Sequence, residues 1–117
     1  MTPPSAEEPL PTGQWELVTT NFVESGRIPG IPRATLDITQ SRVAAYSGCN
    51  RGNASVQAVN GRLVVARFDM VRRSCPEPVG SFDARYFSLL RDTPVYHVEG
   101  DRLRLVAGDY NAHFRKR

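Results

Sequence analysis

This 117-residue chain offers few side chains that could do chemistry: two cysteines, Cys49 and Cys75, and two histidines, His97 and His113. His97 alternates with Tyr96 and Val98, and His113 with Ala112 and Phe114. That period of two turns each imidazole outward on a strand. Two separate outward histidines make no metal centre, and no HExxH or CxxC spacing accompanies them. A Cys–His nucleophile pair needs a third group to orient the histidine, and no such group suggests itself. Nothing places two of Asp69, Asp83 and Asp92 face to face for glycosidase chemistry. The chain has no GxSxG elbow, P-loop or GxGxxG fingerprint, and its glycines stand singly at turns. No catalytic residue, cofactor or metal ligand is therefore expected, and the chain reads as a non-enzyme.

The cysteines leave two readings open. They are too few for a disulfide framework or a zinc ribbon. Paired, they would stabilise the fold by about 3–4 kcal/mol and point to an oxidising compartment. Unpaired, they would pack as small buried hydrophobes.

Charge says less. The net charge is +3, and every basic residue except Lys116 is arginine. The arginines run from Arg27 to Arg117, interleaved with Asp37, Asp69, Asp83, Asp92 and Asp101. Only Arg72-Arg73 and Arg115-Lys116-Arg117 form clusters. A nucleic-acid binder concentrates such charge on one face. A single-stranded nucleic-acid barrel would also need exposed aromatics. Tyr46, Tyr96, Tyr110 and Phe114 alternate as core residues do, so no nucleic-acid partner is expected. With 40% hydrophobic and 23% charged residues, the composition is that of one soluble globular domain.

The elements that must position these residues are short. Pro3, Pro4, Pro9 and Pro11 make residues 1–13 a semi-extended tether, and the domain proper is expected over 14–117. No signal peptide is visible in residues 1–13. Trp15, Leu17 and Thr19 begin the alternating segments, followed by Ala34–Ile38 and then Val43, Ala45 and Tyr46. Val56 and Ala58 lead into Asn60-Gly61, a strong hairpin signal, and Leu63–Phe68 returns. Phe82, Tyr86, Leu89 and Leu90 instead recur at helical spacing. The resulting helix over 80–92 is expected to be capped by Ser81, to carry Asp83 against its dipole, and to end before Pro94. Val95–Val98, Arg102–Val106 and Tyr110–Arg115 complete about eight strands. The fold class is mainly β: an antiparallel, partly open barrel with one helix packed on it or plugging one end.

Around Gly48-Cys49-Asn50-Arg51 the sequence becomes specific. With Trp15-Glu16-Leu17 ahead, and Cys75, Leu103-Arg104-Leu105 and Phe114 behind, it resembles the META/HslJ family of small bacterial envelope proteins. Val71-Arg72-Arg73-Ser74-Cys75 replaces the Thr-x-Met-x-Cys frequent in that family. The acid common at the start of its helix has no clear match at Val79–Phe82.

The resemblance implies a Cys49–Cys75 disulfide and a structural role for Trp15, Leu17, Gly48, Asn50, Arg51, Leu103, Leu105 and Phe114. It also implies a periplasmic or outer-membrane location facing the periplasm, with any export signal or lipid anchor lying upstream. The expected function is monomeric binding of an envelope protein partner in stress tolerance. The alternative is a calycin-like carrier of a small apolar ligand, which needs a cavity of about 300 Å³ or more. A core filled by Trp15, Phe68, Phe82 and Phe114 would oppose it.

Overall fold

A computed structural model describes residues 10–22 and 33–117. Eight antiparallel strands follow one another around a closed barrel: β1 (Gly13–Thr20), β2 (Thr35–Ile38), β3 (Arg42–Tyr46), β4 (Arg51–Val59), β5 (Arg62–Val65), β6 (Val95–Glu99), β7 (Arg102–Ala107) and β8 (Tyr110–Lys116). Among the described residues one helix, α1 (Val79–Arg91), lies between β5 and β6.

The expected opening is absent, because β8 pairs with β1 from Trp15↔Lys116 to Thr20↔Ala112 and closes the ring. The β5–β6 seam is the thinnest, with one registered pair, Arg62↔Val95. It is reinforced where Leu63 N–H donates to Pro94 O (2.9 Å) and Tyr96 N–H to Gly61 O (3.0 Å).

Binary patterning explains most of the barrel. β4 reads as strict alternation, with Gly52, Ala54, Val56 and Ala58 inward. Its hairpin to β5 uses Asn60 at φ 51° and Gly61 at φ 77°, the left-handed angles a two-residue turn requires. Three further expectations need correction before the helix is reached. In β1 the inward residues are Trp15, Leu17 and Thr20, because a bulge between Leu17 and Thr19 shifts the register and turns Thr19 outward. β5 ends at Val65 instead of running to Phe68. Phe68 leaves the ladder and meets Phe87 edge-on at 5.2 Å. The tether reading falls on residues 1–9, which lie outside the described residues, and on residues 10–13, which dock. There Leu10 packs on the core and the Pro11 carbonyl accepts the Trp15 indole N–H at 2.9 Å.

The helix plugs the barrel. Successive strands run in opposite senses, so Phe22 after β1, Thr35 opening β2, the turn after β3 and Tyr110 opening β8 all lie at one end. Phe82 stacks on Phe22 (5.6 Å), and the Tyr86 hydroxyl donates to Thr35 O (2.8 Å). Beyond the last turn, Thr93 and Pro94 bond Arg62 and Leu63. Ser81 is not the cap. Pro78 occupies that position without a side-chain bond, and Ser81 donates its N–H and O–H to Glu77.

Phe82, Tyr86, Leu89 and Leu90 are buried as their spacing implies, and Phe87 joins them. Trp15, Phe68, Phe82 and Phe114 belong to one cluster that occupies the lumen a carried ligand would need. The apolar-carrier alternative is therefore set aside. Complete burial pushes the Tyr86 phenol far above its ordinary pKa, so the neutral form is the one the core holds.

Candidate functional site

The family-like residues divide into two groups. Trp15, Leu17, Leu103, Leu105 and Phe114 are each at most 3% exposed and build the barrel core. Gly48, Cys49, Asn50, Arg51 and Cys75 instead meet at one corner, where the β3–β4 turn faces the segment leading into α1.

That corner is organised by a buried polar node. Gly48 holds φ at 100°, which a side chain would strain, and this lets residues 47–50 fold back tightly. The Ser47 hydroxyl accepts the N–H groups of Cys49 (3.2 Å) and Asn50 (3.1 Å) and donates to Asp83 Oδ1. The Asn50 amide clamps one residue of the facing segment. Its Oδ1 accepts Arg73 N–H (3.1 Å), while Nδ2 donates to Arg73 O (3.1 Å) and Asp83 Oδ2 (3.1 Å).

Asp83 brings α1 into the same node. It is 4% exposed, and it lies past the first turn of α1, which holds no acid, so it does not meet the helix dipole as the sequence suggests. Arg72 lies 3.7 Å from its Oδ2, with about half of the arginine side chain open to water. The Cys49–Cys75 disulfide closes the corner covalently, and the Arg73 guanidinium donates to Cys49 O at 3.0 Å. No buried side-chain polar atom among the described residues lacks a partner. In physical terms the node is a satisfied network that fixes a loop.

The fixed loop presents an exposed ridge. Val71 is 91% exposed, against 40–46% for Val59, Val64 and Val98, the other exposed large apolar residues among the described residues. On one flank a hollow of about 520 Å³ is bounded by Tyr46, Arg51, Val71 and Arg73. On the other, a hollow of about 320 Å³ is bounded by Arg72, Arg73, Ser74 and Ala84. Arg51 lies over the Tyr46 ring at 4.0 Å, which leaves its cation on the rim. The corner therefore offers one apolar side chain among three guanidinium groups.

Sequence reasoning found the cysteines and Asn50 but missed Ser47, Arg73 and Asp83. An acid immediately after Phe82, on the helix face that carries the apolar stripe, was the available signal for Asp83. His97 and His113 point outward as expected and are not at this corner. Among the described residues no three of His, Cys, Asp and Glu converge on a metal position.

The comparisons fit this geometry. A family model described as META domain matches residues 8–117. Two solved structures share the fold. One, an NMR structure of a protein from Burkholderia xenovorans, is 20% identical with TM-score 0.69 and covers 100% of this chain and 98% of its own. The other, also an NMR structure, is 15% identical with TM-score 0.73, covering 99% and 96%. No curated protein matches the sequence.

Proposed function

The chain belongs to the META domain family, and from that premise we propose that it is a non-enzymatic protein of the bacterial envelope that binds a protein partner during stress. The disulfide supports an oxidising location, since such bonds persist outside the reducing cytosol. The binding surface is the ridge Val71–Cys75. The observation that carries this reading is the 91% exposure of Val71 on a segment held by a disulfide and by both hydrogen bonds of the Asn50 clamp. A rigid apolar side chain loses little entropy on docking. Arg51, Arg72 and Arg73 around it select a partner segment that sets an apolar residue among carboxylates.

A photo-cross-linking residue in place of Val71, introduced in intact cells, tests this. A discrete protein adduct is expected from position 71. It should weaken strongly when Arg72→Glu and Arg73→Glu are combined, and be absent from position 64, which faces water on β5. Equal adducts from both positions, or no adduct from position 71, would refute the reading.

A further inference from the structure

We propose that the outer face of β6, β7 and β8 is a binding site for a soluble phosphate monoester. Register sets His97 opposite Arg104, Arg104 opposite His113, and His113 opposite Thr19 of β1. Cross-strand neighbours have Cα atoms about 4.5–5.5 Å apart, so two imidazoles flank one guanidinium within about 10 Å. All four residues are exposed, and they line a groove of about 670 Å³.

The engagement of the neighbouring charges singles out Arg104. Arg102 lies 3.6 Å from Asp101, and Arg115 lies 3.9 Å from Glu16. Glu99 on the rim faces Arg102 across the ladder. Among the described residues, the side chains of Arg104, His97 and His113 have no hydrogen-bonding or ionic partner. An unpaired guanidinium offers a planar fork that fits two oxygens of a phosphate. Imidazole N–H groups on both sides and the Thr19 hydroxyl can serve the remaining oxygens.

The same arrangement disfavours other ligands. Arg104 between the histidines repels a metal cation, and a carboxylate has too few oxygens for the whole row. A phospholipid headgroup shares the phosphate chemistry. However, Glu99 lines the groove and would face an anionic membrane, so the soluble monoester is favoured. This site lies across the barrel from the Val71 ridge, and each proposal can fail without the other.

Proton–nitrogen NMR spectra of the full chain, titrated with glycerol 3-phosphate, decide the matter and report folding at the same time. Saturable shifts are expected at Thr19, His97, Arg104 and His113. Arg104→Gln should weaken binding about tenfold, the loss of one charged hydrogen-bonding pair, while Arg73→Gln leaves it unchanged. The proposal is overturned if shifts do not saturate in the millimolar range or centre on Arg72 and Arg73. It is equally overturned if folded Arg104→Gln titrates like the parent, or if only vesicles containing phosphatidic acid bind.

Discussion

Asn50 and Asp83 join the β3–β4 turn to α1 and to the segment that leads into it. The Asn50 amide satisfies the Arg73 backbone in both directions and donates to Asp83. Asn50→Ala leaves those groups partly buried without their partner and is expected to cost about 1–3 kcal/mol in denaturant unfolding, with the Arg73 amide losing its protection against hydrogen exchange. Tyr86 carries a pH signature. Its folded-state pKa lies above the unfolded one, so its contribution is complete below about pH 10 and is lost as pH rises beyond that. Unfolding of the parent protein, compared with Tyr86→Phe, should show an extra loss approaching about 1.4 kcal/mol per pH unit in that alkaline range. Overlapping pH profiles of the two proteins would show that the phenol is not held neutral by the core.

At the scale of elements, α1 and its approach decide where the corner sits. Gly80 passes so close to the preceding loop that an added Cβ would stand 2.7 Å from the Cys75 carbonyl oxygen. Gly80→Ala should therefore destabilise by about 1–3 kcal/mol, measured by thermal or urea unfolding, although alanine favours helices. Local pattern made most elements legible: the alternation of β4, the Asn60-Gly61 turn and the stripe of α1 each follow from residue order. What stayed hidden depended on contacts distant in sequence. The β1 bulge answers to β8, the end of β5 to the burial of Phe68 against Phe87, and the role of Asp83 to a turn 33 or more positions earlier. Glu77, not Ser81, serves the first turn because Pro78 occupies the cap.

At the scale of the whole molecule, closure and filling leave the barrel with a structural interior and a working surface. The lumen is packed by Trp15, Tyr86, Phe87 and Phe114, so both proposed binding sites lie on the outer surface. The disulfide ties the surface ridge to that rigid body. Intact-mass measurement of protein refolded under oxidising conditions should find no alkylatable thiol, in keeping with the absence of free cysteines. Replacing both cysteines by serine should lower stability by about 3–4 kcal/mol. The core makes no use of the bridge, so the barrel should still fold. That variant allows the most direct test of a partner-binding ridge held in place by its bridge. Cross-linking from position 71 is compared in the disulfide-bonded protein and in the folded Cys49→Ser, Cys75→Ser variant, with circular dichroism confirming the barrel in both. The adduct is expected with the bridge and strongly diminished without it; equal yields from the two proteins would contradict the claim.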